Sequence, residues 1–366
     1  MRDSVSLRFK LNDSKYFLKK YNIFVNDVPL FGVAGKDISG KNVELNEKVE
    51  LGMGNNKIEV TCINEKGVES YRALAFAEYG EQVKKDLYFI GFGVSDYRDN
   101  SLNLKYADKD VKDIATLFSK MGKYFENIHI KTYLNSEVTT ASIKVAKVFL
   151  NNSKIDDTVI LFIAGHGIYD RDKEATYYYL TYEADLRNLS GTAANYEFVE
   201  NLLQGIPARN KLLLMDTCES GEIEENIRER YNIGAKNGKF IPRTGRGIKI
   251  VSVENVKEKG GGNRVYLYER GRFIYNDLIR RSGAIVFSSS KGGEFSYESE
   301  HLKNGFFTAE FLNAFNNGKA DLNKDGLIST DELREYVAIA VDKLSNGLQH
   351  PTVDRDNIYQ KFGFPY

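Results

Sequence analysis

Two side chains that could work together as a nucleophile and a base follow two apolar segments of this sequence. Cys218 lies in "LLLMDTCESG", and His166 lies in "TVILFIAGHG", 52 residues earlier. A cysteine thiol becomes a strong nucleophile once it is deprotonated, and a nearby imidazole promotes that deprotonation. The pair could therefore attack the carbonyl carbon of a peptide bond, and the imidazole could then protonate the leaving amine.

Attack on a carbonyl also creates an oxyanion, which needs hydrogen-bond donors that are already in place. The backbone N–H groups of Gly167 and Cys218 are the predicted donors. Gly167 and Gly221 have no side chain that would block an approaching substrate. A lone cysteine or histidine would more often be a buried strand-end or loop residue. Because Cys218 and His166 both follow apolar runs and both have glycine nearby, catalysis is the favoured interpretation.

The elements that must position these residues alternate between strand and helix from Asp86 onward. Continuous apolar runs, typical of strands buried on both faces, occur in "LYFIGFGV", "DTVILFIAGHG", "NKLLLMDTCESG" and "GAIVFSSS". Helical spacing of apolar residues occurs between them, as in "YADKDVKDIATLFSKM" and "TTASIKVAKVFLNN". This alternation predicts a mostly parallel sheet with helices on both faces. Reactive groups of such sheets lie at the carboxyl ends of strands, where His166 and Cys218 are found.

Residues 1–82 have a different pattern, in which turn residues separate short segments rich in strand-forming residues. Examples are "YNIFVNDVPLFGV" and "KVELGMGNNKIEVTCINEKGVES", which predict a small all-β, sandwich-like domain. Cys62, the second of the two cysteines, lies in one predicted strand and is expected to be buried. Residues 83–366 are predicted to form an α/β domain. A basic, glycine-rich connection without clear periodicity interrupts it at about residues 226–275.

Composition gives no support for several classes of function. Fifty-one basic residues balance 51 acidic ones, so the charge gives no reason to expect nucleic acid or an anionic membrane as a partner. No apolar run is long enough to span a bilayer, and "MRDSVSLRFKLND" lacks the apolar stretch of a secretory signal. Two cysteines cannot form a disulfide framework, so a reducing, cytoplasmic location is expected. Met1 could also be an added start, which leaves open whether further residues precede it.

The motifs "LFIAGHG" and "LLLMDTCESG" together resemble the p20 catalytic unit of caspase-family cysteine peptidases of clan CD. They are more similar to metacaspases and bacterial orthocaspases than to animal caspases. The resemblance covers about residues 84–366. It implies the caspase-hemoglobinase fold, a mostly parallel six-stranded sheet with helices on both faces. It also implies three parts, namely p20 at about residues 83–225, a linker at about 226–275 and p10 at about 276–366.

The resemblance also implies a specificity. This chain has "DTCESG" where animal caspases have Q-A-C-x-G, which argues against cleavage after aspartate. Metacaspases form their S1 pocket with two acidic residues, which correspond here to Asp216 and, through a loose match of "LKYADKDV" to L-x-G-C-x-N-D-A, to Asp110. Two carboxylates would bind an Arg or Lys side chain at P1. The alternative for Asp110 is an exposed helix residue. Ser288, after the last buried strand, is expected to line the substrate cleft.

Self-processing between p20 and p10 is a further implication, because family members are often cut there. The linker offers the basic residues Arg228, Arg230, Arg243, Arg246 and Arg264. Cleavage within the linker is therefore expected, with the bond left open.

A possible calcium site lies near the C-terminus. "DLNKDGLISTDE" matches the twelve-residue calcium loop D-x-[DN]-x-[DN]-G-x(5)-E at every specified position, with Gly326 at the sharp turn. The predicted ligands are Asp321, Asn323, Asp325, the carbonyl of Leu327, Ser329 directly or through water, and both oxygens of Glu332. The alternative is a polar turn that starts a helix, because Ser329 and Glu332 also form a capping box. Binding of Ca²⁺ is the favoured interpretation, whether structural or regulatory.

The favoured function is thus a cysteine endopeptidase with an added N-terminal β-domain. A second hypothesis is a catalytically idle homologue that acts as a calcium-binding interaction module. A third is a peptidase from another branch of clan CD, such as a clostripain-like enzyme. Protein or peptide substrates with a basic P1 residue are the expected partners. The N-terminal domain could also dock a partner or sensor protein, and a monomer is expected by analogy with metacaspases.

Overall fold

The computed structural model of the protein describes most of the chain. The described residues are 3–169, 176–217, 240–242, 282–291, 294–353 and 362–366. Cys218 and Gly221 therefore lie outside the described residues. The same holds for Arg228, Arg230, Arg243, Arg246 and Arg264.

The N-terminal region consists of antiparallel strands arranged in two sheets. Its strands are β1 (Ser4–Asn12), β2 (Leu18–Val25), β3 (Val28–Pro29), β4 (Lys36–Gly40), β5 (Asn42–Glu50), β6 (Gly54–Asn64) and β7 (Ala73–Tyr79). One sheet pairs β1 with β5, and the other has the order β3-β2-β6-β7, with β4 also paired to β2. Buried side chains from both sheets, such as Leu11, Ile23 and Val49, form a common core. Cys62 is part of this core, as predicted.

The rest of the chain alternates between strands and helices. The first half contains β8 (Leu87–Gly93), α1 (Ala107–Ser119), β9 (Ile128–Leu134), α2 (Thr140–Leu150), β10 (Thr158–Gly165), β11 (Gly167–Tyr169), β12 (Tyr177–Tyr179), α3 (Leu189–Thr192), β13 (Ala194–Asn195), α4 (Tyr196–Leu203) and β14 (Asn210–Thr217). The second half contains β15 (Phe240–Pro242), β16 (Ile285–Ser288), β17 (Tyr297–Ser299), β18 (Asn304–Gly305), α5 (Phe306–Phe315), β19 (Leu327–Ser329), α6 (Thr330–Leu344), β20 (Thr352–Val353) and β21 (Gly363–Pro365). Short 3-10 helices occur at Asn100–Leu102, Asn135–Glu137 and Asn316–Gly318.

A six-stranded sheet forms the centre of this part, in the order β20-β16-β14-β10-β8-β9. Only the pairing of β16 with β20 is antiparallel among these strands. Every residue of β8 and β10 is buried, which explains why their sequences are continuously apolar. The predicted fold, a mostly parallel six-stranded sheet with helices after a β-rich N-terminal region, is confirmed.

Helix α1 lies very close to the end of β8, and glycine makes this possible. A Cβ atom at Gly93 would lie 2.6 Å from the backbone oxygen of Ala107 and 2.7 Å from a methyl group of Val111. A larger residue at position 93 would push the first turn of α1 away from the sheet. The glycine therefore helps to fix where Asp110, in that first turn, is placed.

The N-terminal domain contacts the amino ends of the central strands. The Arg209 guanidinium, just before β14, donates a 2.6 Å hydrogen bond to the backbone oxygen of Glu50. The backbone N–H of Met53 donates to Asp156, just before β10, at 2.8 Å. This interface is at the opposite end of these strands from His166, which follows the carboxyl end of β10. Among the described residues, no helix is both long and apolar enough to cross a membrane.

Candidate active site

His166 directly follows β10 and is held tightly by its backbone. Its side chain and backbone are 1% exposed. Its N–H donates to the Tyr97 hydroxyl at 3.0 Å, and its carbonyl accepts from the N–H of Leu180 at 2.9 Å. Gly165, the preceding residue, has φ = +147°, and a Cβ there would lie 2.9 Å from the Tyr97 hydroxyl. The glycine before the histidine is thus required by backbone conformation and by space.

The imidazole of His166 has one ring nitrogen fixed by a backbone carbonyl. Its Nε2 atom lies 2.8 Å from the oxygen of Leu102. A carbonyl oxygen can only accept a hydrogen bond, so Nε2 must carry the proton. Nδ1 is then the basic nitrogen of the neutral ring, which is the state that a general base requires.

The Leu102 carbonyl was not identified from the sequence. It ends the 3-10 helix Asn100–Leu102, which is capped by Asp99 through a 3.0 Å hydrogen bond from the N–H of Ser101. On the C-terminal side of Leu102, the side-chain oxygen of Asn103 accepts a hydrogen bond from the N–H of Tyr97 at 2.7 Å. Any residue type provides a backbone carbonyl, so position 102 has no sequence signal of this role.

The strand that precedes Cys218 lies next to the strand that precedes His166. β10 and β14 are parallel neighbours, and Gly165 is the register partner of Thr217. In the sequence, His166 follows Gly165 and Cys218 follows Thr217. The end of β14 is anchored, because the Thr217 hydroxyl lies 2.7 Å from that of Tyr177 and its carbonyl accepts from Ser289 at 3.1 Å.

Asp216 is fully buried at the end of β14. One carboxylate oxygen accepts a hydrogen bond from the Ser296 hydroxyl at 2.9 Å, and the other accepts from the Thr308 hydroxyl at 2.7 Å. Both partners belong to the part of the chain after the linker. Asp216 therefore connects the central strand of the first half to the second half.

Asp110 is also fully buried, so the alternative of an exposed helix residue is wrong. Its carboxylate accepts from the Asn304 side-chain amide at 2.9 Å and from the N–H of Gly305 at 3.1 Å. Gly305 is the N-cap of α5, and Thr308 lies in the first turn of the same helix. The structure thus brings Asp110 and Asp216 to the amino end of α5, where the helix dipole favours negative charge.

Gly167 and Ser288 are placed by the secondary structure. Gly167 begins β11 and pairs with Tyr179 of β12, directly after His166. Ser288 ends β16 and is buried, and its hydroxyl donates to the backbone oxygen of Ser290 at 2.9 Å. Ser288 therefore shapes the turn after β16 through this bond.

Comparison with known families agrees with this arrangement. The family model described as "Caspase domain" matches residues 90–362, which is most of the chain. The chain belongs to the caspase-domain family. Membership of this family implies a cysteine peptidase in general terms. It also favours the caspase branch of the clan over a clostripain-like branch.

Two solved structures are among those to which the chain is similar. Protein GSU0716 from Geobacter sulfurreducens is 16% identical, with a TM-score of 0.46 over 76% of this chain and 97% of that chain. Caspase-1 from Spodoptera frugiperda is 10% identical, with a TM-score of 0.41 over 74% of this chain and 86% of that chain. No curated protein sequence matches the chain significantly.

The calcium-type loop of this caspase domain is stabilised by its own carboxylates. One oxygen of Asp321 accepts from the N–H of Lys324 at 2.7 Å, and the other accepts from the N–H of Gly326 at 3.1 Å. Glu332 accepts from the N–H of Asn323 at 3.1 Å and from the N–H of Ser329 at 2.9 Å. Among the described residues, no three acidic, histidine or cysteine side chains are gathered closely enough to hold a metal ion as they stand.

The carboxyl groups near the two ends of the loop accept hydrogen bonds that favour their ionised form. Partial burial opposes ionisation of Asp321 and Glu332, but hydrogen bonds from the loop outweigh it and lower the pKa of both carboxyls. Gly326 has φ = +86°, as the sharp turn requires. β19, inside the loop, pairs with β21, and the hydroxyl of Tyr366 donates to Asp321 at 3.0 Å. The C-terminal strand thus fixes the loop from one side.

Proposed function

We propose that this caspase domain is an active cysteine endopeptidase in which Cys218 is the nucleophile and His166 is the base. The observation that carries the proposal is the Nε2–Leu102 hydrogen bond, which leaves Nδ1 of His166 basic. The register of β10 and β14 supports a short distance between the two residues, since neighbouring strands lie about 4.8 Å apart.

The reaction follows from these two groups. His166 Nδ1 accepts the thiol proton, and the Cys218 sulfur forms a bond to the carbonyl carbon of the substrate. The backbone N–H groups of Gly167 and Cys218 are the proposed donors to the oxyanion. The C–N bond then breaks as the imidazolium protonates the leaving amine, which leaves a thioester. Water, deprotonated by the same imidazole, hydrolyses the thioester and restores the thiol.

A basic residue at P1 is the proposed specificity, as in metacaspases. Asp110 and Asp216 are both buried, both serve as hydrogen-bond acceptors, and both lie at the amino end of α5. Two hydroxyl groups, those of Ser296 and Thr308, donate hydrogen bonds to Asp216. A guanidinium or ammonium group that reached this region would be attracted to both acids.

A panel of peptides that differ only at P1 tests this function. We expect kcat/KM for P1 Arg and Lys to exceed that for P1 Asp by more than about 100-fold, because an Asp side chain would meet two negative charges. The measurement is release of a fluorophore, with Cys218→Ala as the inactive control. Cleavage of all peptides at the rate of Cys218→Ala would instead support the idle homologue, and preferred cleavage after Asp would exclude a basic S1 pocket.

Self-processing in the linker is part of the proposal. β15, Phe240–Pro242, lies within the linker and pairs antiparallel with β17, where Pro242 is the register partner of Tyr297. The hydroxyl of Ser296, the residue before Tyr297, donates a hydrogen bond to Asp216. Arg243 follows Pro242 in the sequence. The pairing therefore favours Arg243 over the other linker arginines as the residue after which the chain is cut.

Self-processing is expected to stop when Arg243 is replaced with glutamine. Wild-type protein should yield a fragment whose N-terminus is Thr244. The variant should not yield it, because glutamine lacks the positive charge that the proposed S1 acids would bind. Mass spectrometry of the purified protein over time is the measurement. Arg264→Gln is the matched control and should be processed normally, and Cys218→Ala should remain intact. A fragment that begins at Thr244 in Cys218→Ala would mean that another protease makes the cut.

Binding of Ca²⁺ to the loop is the proposed cofactor interaction. Asp321, Asn323, Asp325 and Glu332 would supply side-chain oxygens, Leu327 its carbonyl, and Ser329 a hydroxyl or a water contact. Bound Ca²⁺ would supply a positive charge to the carboxylates of the loop, in place of hydrogen bonds that they now accept from backbone N–H groups. Because α6 begins inside the loop and β19 pairs with β21, the ion would stabilise the C-terminal end of the domain.

Added Ca²⁺ is expected to raise the thermal midpoint in wild type and to have no effect in Glu332→Gln. A ligand that binds only the folded state at 100 times its Kd adds about 2.7 kcal/mol to the free energy of unfolding. The midpoint is measured in 1 mM Ca²⁺ and in a chelator. Asp331→Asn, an acidic position of the loop that is not a predicted ligand, should keep the response. An equal shift in Glu332→Gln would place the calcium effect elsewhere.

A further inference from the structure

Glu298 is a buried carboxylate that accepts hydrogen bonds from two successive backbone N–H groups. It lies in β17 and has no exposed surface. The N–H of Lys105 donates to one oxygen at 3.1 Å, and the N–H of Tyr106 donates to the other at 3.1 Å. Burial of a carboxylate is costly unless such bonds replace those to water. An arrangement of this kind holds the recipient backbone firmly.

The backbone that Glu298 holds is continuous with the carbonyl that orients the imidazole. Lys105 and Tyr106 follow Leu102 by three and four residues, and Tyr106 is the N-cap of α1. The negative charge of Glu298 at this helix start is also favoured by the helix dipole. The segment between them is short and tied down, since the N–H of Leu104 donates to the backbone oxygen of Ser95 at 2.9 Å. The bond at Leu104 and the two bonds to Glu298 therefore act together on the backbone that follows the Leu102 carbonyl.

Glu298 also joins two parts of the chain that the linker separates. His166 and Leu102 precede the linker, whereas Glu298 follows it. β17 is in addition paired with β15 of the linker, so Ile241 is the register partner of Glu298. Glu298 therefore connects the backbone after Leu102 to the second half of the domain.

We propose that Glu298 is a positioning residue of this peptidase: it holds the Leu102 carbonyl where it keeps the His166 proton on Nε2 and Nδ1 basic. The proposal rests on the proposed function, in which Nδ1 is the base. It makes docking of the second half a condition for a correctly oriented histidine. It assigns no contact between Glu298 and the substrate.

Glu298→Gln is the test, because the side chain keeps its size while one acceptor oxygen becomes an N–H₂ donor that faces a backbone N–H. We expect kcat to fall on the order of 10- to 100-fold with KM changed less than about twofold, since a small displacement of a catalytic group has effects of this size. ¹⁵N NMR of the His166 side chain should show the Nε2–H tautomer in wild type and a mixture of tautomers in the variant. The NMR samples carry Cys218→Ala, which prevents self-cleavage.

Glu300→Gln is the matched control. Glu300 contacts Lys105 through the side-chain ammonium group and is about half exposed, so its loss leaves the 105–106 backbone in place. It should retain wild-type kcat and the wild-type tautomer. If Glu298→Gln does not fold, Glu298→Asp replaces it, because the shorter side chain reaches fewer of the backbone donors. Its tautomer mixture is expected to lie between that of wild type and that expected for Glu298→Gln.

The tautomer separates this proposal from the proposed function. An unchanged Nε2–H tautomer in a folded Glu298 variant would overturn the positioning role, even if the thermal midpoint fell. A mixed tautomer in the variant would support it even in a chain that cleaves no peptide, because the NMR readout needs no turnover. Failure of the peptidase itself would appear separately, as peptide cleavage no faster than that of Cys218→Ala.

Discussion

Replacement of His166 with glutamine is expected to lower kcat/KM for peptide cleavage by at least about 1,000-fold. Glutamine can still donate a hydrogen bond to the Leu102 carbonyl, so the 3-10 helix that ends at Leu102 should keep its position. It cannot accept the thiol proton or protonate the leaving amine. The loss therefore isolates proton transfer from packing, and kcat/KM for a peptide with Arg at P1 measures it.

Reactivity of the thiol gives a second measurement of the same prediction. In wild type, alkylation of Cys218 by iodoacetamide should be fast at pH 7, whereas in His166→Gln it should follow an ordinary thiol pKa of about 8.5. His129→Gln is the matched control. The ring of His129 lies 3.0 Å from Asp86 and stacks on Tyr88. His129 is at the amino end of β9, whereas His166 follows the carboxyl end of β10. Equal activity in the two glutamine variants would refute the role of His166.

The parts of this protein that depend on local sequence pattern could be predicted. Strands buried on both faces must be apolar throughout, so β8 and β10 were evident as continuous runs. Parallel strands end at the same edge of a sheet, which places His166 beside the strand that precedes Cys218. The capping box at the start of α6 was evident for the same reason, since Ser329 and Glu332 are only three residues apart.

The parts that depend on long-range contacts could not be predicted. The Leu102 carbonyl lies 64 residues before His166, and its function is independent of its side chain. Burial of Asp110 follows from contacts with Asn304 and Gly305, almost 200 residues later, whereas the charged neighbours of Asp110 in the sequence are typical of an exposed helix face. The bond from Tyr366 to Asp321 likewise joins residues 45 positions apart. The spacing of residues within a motif does not indicate which distant residues they will contact.

The second large effect is expected from Asp216→Asn, which tests whether this acid acts on the substrate or only on the fold. The amide has the same shape, and the hydroxyls of Ser296 and Thr308 can rotate to pair with it, so folding should be maintained. The negative charge is lost. We therefore expect kcat/KM for a peptide with Arg at P1 to fall about 100-fold, whereas that for the same peptide with Gln at P1 should change less than about threefold.

The ratio of the two rates, rather than either rate alone, decides between the two roles of Asp216. A purely structural acid would fix β14 against α5, and its loss would slow both peptides equally by displacing the end of the strand before Cys218. Asp113→Asn is the control for loss of a nearby charge, because Asp113 accepts from the same Asn304 amide at 2.8 Å and is partly exposed on α1. It should leave the ratio unchanged. An equal loss for both peptides in Asp216→Asn would assign Asp216 to the contact between the two halves and remove it from the S1 pocket.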